Sequence, residues 1–406
     1  MKRYILLSTF FDMGGGQLYT RNKTDYLKKN GWKVDVYTGR TGQLMLSEMS
    51  EYENNYYKEL NFSPFYASPK RRKEIIDIIS QDRDYEEIVI ESAKQPMALW
   101  GELIAANLGA KHVFFDLDEN FPVYDKWYYE FIDFKHQRRE LAGIMPFSLI
   151  RMFNKYKEVS ATECYSLKFL CENTISEQNN YVMEGIAKTD INFGCISRLD
   201  KDYIIPMMEE VVKFSQAHPQ LSVSFVLVGD STCPSILERL KAIASQAEHM
   251  RFYALGYLSP IPKALIDYVD YFIGTSGSAV MTAAAGKITI AVDTVTCVPI
   301  GIIGYDIDTG IFADNNAQHT LFQYLEHLHF QADKNKITSK IRANKNLFFD
   351  YMEEFHSHMA FIQNSEPEKE YFAFHNIDII SKFQFLLIRM CGVERAKKIK
   401  HLLKKQ

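Results

Sequence analysis

Basic and hydroxyl side chains follow two of the short apolar runs in the second half of the chain. Arg198 and Lys201 come directly after one run, and Ser276, Gly277 and Ser278 come after another. Two cations at the end of a parallel strand can neutralise a diphosphate leaving group, and the N–H groups of a helix start attract the same anion. Each feature also has an ordinary alternative: a solvated Arg and Lys beside acids for the first, and a helix N-cap without a ligand for the second.

Three adjacent glycines, Gly14, Gly15 and Gly16, follow the first predicted strand and precede a predicted helix. Glycine allows the backbone to turn tightly and to come close to a ligand. The spacing is not Gly-x-Gly-x-x-Gly, so a dinucleotide site is only weakly indicated. A plain strand-to-helix turn is the alternative, although such a turn does not need three glycines.

An acidic cluster, Asp116-Leu-Asp-Glu119, stands at the end of another predicted strand. The carboxylate of Asp118 suits a general base or a metal ligand, whereas the alternative is an exposed loop acid or a helix N-cap. Two His-x-His pairs, at 327–329 and 356–358, lie in helical stretches, where residues two apart do not face each other. We therefore expect surface histidines there and no metal site.

The hydrophobic periodicity predicts an α/β fold. The predicted strands of the first half are 4–11, 32–37, 88–91 and 111–116, and those of the second half lie within 192–201, 223–230, 251–257, 268–278 and 283–293. Alternation of strands and helices is typical of doubly wound parallel sheets, whose carboxyl ends carry ligand-binding turns. The stretch 124–157 predicts helix without a clear strand, and the chain after 312 is mainly helical.

Length and composition fit two domains. A chain of 406 residues exceeds one ordinary core and matches two domains of about 200 residues each. We place an N-terminal domain at 1–187, a second domain at 188–365 and a helical tail at 366–406. The net charge of −4 gives no general attraction to nucleic acid, and 47% apolar with 24% charged residues is typical of a globular protein.

Cysteine usage and hydropathy favour a cytoplasmic protein. The six cysteines form no Cys-x-x-Cys pair, which is typical of reduced thiols. The sequence contains no uninterrupted run of the roughly 18 apolar residues that a membrane-spanning helix needs.

The end of the chain is basic. Residues 387–406 include seven Lys or Arg residues and one acid, with an apolar stripe at positions 393, 396, 399 and 403. A basic amphipathic helix over 383–405 predicts peripheral association with the inner face of the plasma membrane. A terminal helix that docks on the protein itself is the alternative.

In this order, the motifs resemble glycosyltransferases of the GT-B fold, and among them the family 4 type that builds bacterial surface polysaccharides. The resemblance is clear over 191–312 and looser over 1–122. It implies two Rossmann-like domains that face a cleft, with the glycines at 14–16 on the acceptor side. It also implies that Arg198, in Ser197-Arg198-Leu199, contacts the donor diphosphate.

Further donor-binding residues follow from the same resemblance. The turn Leu255-Gly256-Tyr257 matches the one that helps to seat the nucleotide base, and Gly229 ends a neighbouring strand on the same edge. The helix of small residues that follows Ser276, Gly277 and Ser278 also matches the family.

Three positions depart from the family pattern. The family carries a Glu-x7-Glu pair around this loop, and its second Glu, which holds the donor ribose, corresponds to Met281. A family Lys falls near Tyr203, so that Lys201 is its candidate replacement. Asp118 occupies the place of a functional His in many relatives.

The resemblance implies transfer of a sugar from a UDP- or GDP-linked donor to a lipid-linked or saccharide acceptor, in capsule or exopolysaccharide synthesis. We expect no metal or other cofactor, because Arg198, Lys201 and backbone N–H groups would supply the positive charge. Asp118 is a candidate base or polar contact. The alternative that the missing acids favour is a non-catalytic partner subunit or sugar-binding module. A sugar-nucleotide epimerase of the same fold is a third hypothesis, which a membrane-bound acceptor disfavours.

Overall fold

The computed structural model describes residues 1–8, 11, 14–40, 42, 44, 46–118, 122–231, 233–308, 310, 319–347, 351–366 and 368–392, with the backbone alone for Ser47 and Tyr351. Contacts divide the chain into two compact units. The first consists of Met1–Leu170 and Tyr351–Gln406, and the second of Cys171–Asp350.

The strands and helices alternate along most of the chain. The strands are β1 Lys2–Ser8, β2 Trp32–Thr38, β3 Glu87–Ser92, β4 Lys111–Asp116, β5 Leu141–Gly143, β6 Ile175–Ser176, β7 Ile191–Ile196, β8 Val223–Val228, β9 Met250–Ala254, β10 Ile261–Pro262, β11 Tyr271–Gly274, β12 Ile288–Val292 and β13 Pro299–Ile302. The α-helices are α1 Gly15–Lys29, α2 Pro69–Ile79, α3 Gln95–Leu108, α4 Lys126–Gln137, α5 Pro146–Phe153, α6 Ile204–Ala217, α7 Pro234–Ala244, α8 Lys263–Tyr268, α9 Ser276–Ala284, α10 Leu321–Phe330, α11 Lys334–Ala343, α12 Tyr351–Gln363 and α13 Ile379–Cys391.

The sheet of the first unit is parallel throughout. Its strand order is β2-β1-β3-β4-β5. The order reverses between β1 and β3, and ligands of open α/β sheets bind at the carboxyl ends of strands beside such a switch point. The turns after β1 and β4, which hold Gly14 and Asp118, therefore lie at the carboxyl edge.

The sheet of the second unit has the order β13-β12-β11-β7-β8-β9, and β13 alone among these is antiparallel to its neighbour. Its switch point lies between β7 and β11. Arg198 follows β7 and Ser276 follows β11, so the two candidate phosphate segments flank this switch point. A separate pair, β6 and β10, forms a short parallel ribbon.

Burial on both faces explains the apolar character of the central strands. Every residue of β8 is buried, which matches its nearly continuous apolar run. In the first unit, Ile5, Ile90 and Trp100 belong to one buried cluster. Aromatic residues of α4 pack with Phe114 in a second cluster.

The structure differs from the sequence expectations in several boundaries. The first strand ends at Ser8 rather than at residue 11, and α1 begins at Gly15, so Gly15 and Gly16 belong to the first helical turn. The expectation of no strand within 124–157 is wrong, because β5 pairs with β4. Three residues, Leu-Ala-Gly, are too few to show a period.

The division into units also falls elsewhere than the predicted boundaries at 187/188 and 365/366. Helix α12 packs against α1, and α13 packs against the turn Pro64–Tyr66, so both join the first unit. A sequence pattern cannot show this return, because periodicity reports which face of a helix is apolar and not which sheet it covers.

Candidate functional site

The turn that follows β7 is tied to the turn that follows β8. The N–H of Ser197 donates to Val228 O at 2.9 Å, and the N–H of Leu199 donates to Asp230 O at 3.0 Å. Arg198 stands between these two bonds on the exposed surface of the carboxyl edge. Its Nε lies 3.4 Å from Asp200 Oδ1, with both side chains more than a third exposed. Such a solvated pair contributes little stability, which leaves the guanidinium able to exchange its partner for an anionic ligand.

Lys201 lies in the short turn that leads from Arg198 to α6. Its backbone N–H lies 3.5 Å from Arg198 O, and its own carbonyl accepts from Ile204 N at 3.1 Å. Its side chain is half-buried. The turn therefore places both predicted cations within one hydrogen-bonded loop.

Gly229 allows the turns after β7 and β8 to come together. A Cβ added there would lie 1.8 Å from Ser197 O, and the residue has φ of 145°. Its N–H donates to Gly256 O at 2.8 Å. The position therefore requires glycine for both conformation and space.

Gly256 and Tyr257 extend the same arrangement to β9. Gly256 has φ of 70°, a left-handed conformation that favours glycine. The hydroxyl of Tyr257 donates to Asp230 O at 3.2 Å. The predicted residues after β7, β8 and β9 thus form one connected block of turns at the carboxyl edge, which we call the three-turn block (197–199, 229–230 and 255–257).

The predicted phosphate loop lies at the start of α9, on the other side of the switch point. Thr275 is the N-cap residue and makes no side-chain capping bond, and Ser276 has φ of 58°. The hydroxyl of Ser278 donates back to Thr275 O at 3.3 Å. Neither predicted serine is therefore the N-cap, and the helix begins three residues earlier than expected.

A thiol that sequence reasoning did not single out occupies part of this loop. A Cβ added at Gly277 would lie 2.6 Å from Cys171 Sγ. Burial, followed by the charge of Glu172, raises the pKa of this thiol, while hydrogen bonds from the Gly277 N–H and the Ser276 hydroxyl oppose the rise. The loop is therefore partly filled by a neutral thiol of the protein itself. A lone cysteine far away in sequence gave no signal of this contact.

Two positions at which the sequence departs from the glycosyltransferase pattern are buried in the core. Met281 packs in the cluster that includes Val228, Val269 and Phe272. Tyr203 is fully buried just before α6. Neither side chain is solvated at the carboxyl edge, so Met281 supplies no carboxylate there and Tyr203 supplies no cation.

Packing against the described residues does not explain Gly14 and Gly16, two of the glycines after β1. Gly14 has φ of 173°, which any residue adopts, and an added Cβ would meet the flexible end of Gln17. A Cβ at Gly16 would find its nearest neighbour, Leu117 Cδ1, at 4.0 Å. The neighbours that the structure describes therefore do not require glycine at these two positions, and close approach of a ligand is one physical reason for it. Contact with Leu117 also puts this segment beside the turn after β4.

Asp116 and Asp118 form an unequal pair at the end of β4. Asp116 is buried, and its Oδ2 has no hydrogen-bond partner in the part of the chain that the structure describes. Asp118 is partly exposed, with Oδ1 3.7 Å from Lys94 Nζ. Burial, and then the charge of Asp118, raise the pKa of Asp116 well above its usual range. A neutral carboxyl thus lies behind an exposed one, an arrangement suited to moving a proton. Glu119 lies outside the described residues.

The histidine expectation is wrong at one position. His358 is buried in α12, where its Nε2 lies 2.9 Å from Lys168 O and its Nδ1 lies 3.4 Å from the Tyr19 hydroxyl. Burial lowers the pKa of His358 well below its usual value. Within the described ranges, no group of three or more His, Cys, Asp or Glu side chains is arranged to hold a metal ion.

The predicted basic helix falls partly outside the described residues. Its first part coincides with α13, whereas the stripe at 393–403 lies beyond residue 392. Among the residues that the structure covers, no helix has both the length and the apolar character to cross a bilayer.

Solved structures of known proteins are similar in fold to this chain. A glycosyltransferase from Rickettsia africae matches with a TM-score of 0.61 and 13% identity over 89% of this chain and 99% of that one. The HepE protein of Anabaena, solved with UDP and glucose, matches with a TM-score of 0.60 and 12% identity over 89% and 99% of the two chains. The chain has the GT-B fold.

The same comparisons show that the fold alone does not determine the reaction. A putative UDP-N-acetylglucosamine 2-epimerase from Listeria monocytogenes also matches, with a TM-score of 0.50 and 11% identity over 91% of this chain and 99% of that one. No family model and no curated protein matches the sequence. The GT-B fold is thus established by structure, while the chemistry rests on the site residues.

Proposed function

We propose that this GT-B protein is a glycosyltransferase that moves a sugar from a nucleotide-sugar, of which a UDP-sugar is the first candidate, to a lipid-linked or saccharide acceptor in bacterial capsule or exopolysaccharide synthesis. The observation that carries the proposal is the three-turn block, which presents Arg198 beside the switch point of the second sheet. The solved structures of this fold that contain UDP with glucose support the choice of donor.

In this proposal the donor diphosphate binds at the carboxyl edge of the second unit. Arg198 and Lys201 hold its negative charge, and Gly256 and Tyr257 border the nucleotide base. A hydroxyl oxygen of the acceptor forms a bond to the anomeric carbon, and the bond from that carbon to the diphosphate oxygen breaks. The electron pair leaves on the nucleoside diphosphate, and Asp118 accepts the acceptor's proton.

Isothermal titration with UDP and GDP tests the donor site. Arg198→Ala should weaken UDP binding by roughly tenfold or more, because a charge-assisted contact to phosphate is lost. Lys241→Ala is the matched control, since Lys241 is an exposed cation of the same unit that pairs within α7 with Glu238. Equal weakening in both variants, or no UDP or GDP binding by the folded parent, would remove the donor site.

Asp118→Asn separates binding from turnover. This variant should bind UDP like the parent, while release of UDP from a UDP-sugar that the parent consumes falls by roughly a hundredfold. If both variants and the parent bind nucleotide and none turns over a sugar donor with any acceptor, the protein is a binding module.

The non-catalytic alternative has specific support. Met281 is buried where the family's ribose-binding Glu would stand, and Cys171 fills part of the predicted phosphate loop. An epimerase of this fold differs from both, because it would convert the sugar of a nucleotide-sugar without an acceptor. Analysis of the sugar after incubation with donor alone distinguishes that reaction from transfer.

A further inference from the structure

Helix α13 exposes an apolar face that is large for one short helix. Five side chains on it are half or more exposed, and we call them the α13 face: Ile379 84%, Ile380 70%, Phe383 64%, Leu386 50% and Met390 78%. At 100° per residue they fall within an arc of about 120°. Single exposed apolar residues are ordinary, but a contiguous patch marks an interaction surface.

The opposite side of α13 is firmly held. Phe385 stacks on Phe65 with 5.5 Å between ring centroids, and Ser381 accepts a hydrogen bond from Trp127 Nε1 at 3.2 Å. Arg389 donates to Phe65 O at 3.0 Å and 2.8 Å. The helix is therefore docked in one orientation, and its apolar face points outward because the other face is already used.

The first turn of α13 lies beside the segment that follows β4. Ser381 lies 3.5 Å from Asp125 Oδ2, so the first turn of α13 adjoins the segment that follows β4. Val123 in that segment is 73% exposed. Asp118 precedes Val123 by five residues.

Charge indicates the occupant of this face. Lys382 is exposed and, at 100° per residue, lies about 40° from the edge of the apolar arc. The sequence that follows residue 392 adds six Lys or Arg residues and one Glu in fourteen positions. A second copy of the chain would bring these like charges together, whereas an anionic lipid surface neutralises them.

We infer that the α13 face lies in the headgroup region of an anionic bilayer and carries the first unit on the membrane. The helix of 13 residues lies along the surface, since its length of roughly 20 Å is short of the hydrocarbon core. This deepens the proposed function, because it brings the edge that holds Asp118 to where a lipid-linked acceptor is presented.

Vesicle sedimentation of the full chain tests the inference. Vesicles of phosphatidylcholine mixed with phosphatidylglycerol should bind the parent protein, and pure phosphatidylcholine should bind it far less. The double variant Ile380→Ser/Phe383→Ser should lose roughly tenfold or more of this partitioning, because two apolar side chains no longer leave water. The matched control is Tyr181→Ser, since Tyr181 of the second unit is 64% exposed, like Phe383.

The outcomes of this experiment either support or overturn membrane binding by the α13 face. Retained vesicle binding in the double variant would overturn the inference, as would a parent protein that ignores vesicles and forms a dimer that the double variant abolishes. UDP titration of the same variants should be unchanged. A loss of vesicle binding with intact UDP binding therefore supports the face whether or not the protein proves to be a transferase.

Discussion

At the scale of single residues, Asp116 stands out because its placement works against stability. A buried carboxyl whose pKa is raised favours the protonated form in the folded state. The unfolded chain loses that proton near the ordinary pKa, so the contribution of Asp116 to folding is full below that value and declines as pH rises toward the folded pKa. At neutral pH the folded protein should therefore be more stable with the neutral isostere Asn at position 116 than with the native Asp.

Asp116→Asn should raise the thermal midpoint at neutral pH and lower turnover of the sugar donor. Each kcal/mol gained corresponds to roughly 2–4 °C in a domain of this size. Calorimetry at several pH values checks it, and the gain should shrink in acid, where the native carboxyl is protonated in both states. A midpoint that falls would show that the carboxyl is paired and structural, and a gain that does not depend on pH would show that ionisation of Asp116 is not its cause.

At the scale of elements, the three-turn block depends on glycine at one point. A Cβ at Gly229 would lie 1.8 Å from Ser197 O, whereas the nearest described neighbour of a Cβ at Gly274 is Ala279 Cβ at 3.9 Å. Both residues lie at the carboxyl edge of the same sheet. They therefore form a matched pair that differs in space and in conformation.

Gly229→Ala should destabilise the second unit by roughly 3 kcal/mol or more and abolish UDP binding, since the turns after β7 and β8 must separate. Gly274→Ala should leave both quantities close to those of the parent. Urea unfolding followed by circular dichroism, with UDP titration of the folded variants, measures the two effects. Equal behaviour of the two variants would contradict the close approach at Gly229.

The elements also show how much of the structure could be predicted from the sequence. The central strands and the glycine turns were predictable, because buried parallel strands are continuous apolar runs and Gly229 and Gly256 need conformations that other residues avoid. The contact of Cys171 with Gly277 was not predictable, because no sequence pattern links these two positions. The basic amphipathic helix that the sequence predicts over 383–405 overlaps α13, but which side of α13 is buried depends on Phe65 and Trp127, far away in sequence.

At the scale of the whole molecule, the two units differ in their buried charges. In the first unit, His112 Nδ1 lies 2.7 Å from Glu102 Oε2, and Lys135 Nζ lies 3.0 Å from the same oxygen. Burial and then the charge of Lys135 lower the pKa of His112 to about 4. Burial acts to raise the pKa of Glu102, but the charge of Lys135 and the hydrogen bond from His112 outweigh it and lower that pKa to about 2.

These shifts, with that of buried His358, predict that acid unfolds the first unit before the second, against the opposing contribution of Asp116. A base or an acid whose folded pKa is depressed stabilises the fold above its unfolded pKa, and this stability is lost as pH falls through the folded pKa. For His112 this stability is lost between pH 6.5 and about pH 4, and for Glu102 it is lost between pH 4.5 and about pH 2. The loss over the His112 window is roughly 3 kcal/mol.

All three tryptophans, Trp32, Trp100 and Trp127, belong to the first unit, so their fluorescence reports its unfolding, while circular dichroism reports both units. On heating at neutral pH and then in steps toward pH 4, the fluorescence transition should move to lower temperature faster than the last part of the dichroism transition. The buried charge network belongs to the first unit, so acid removes stability there while the sheet that carries Arg198 stays folded. Transitions that coincide at every pH would mean that the two units unfold as one, and that the Glu102–His112 pair stabilises the whole chain.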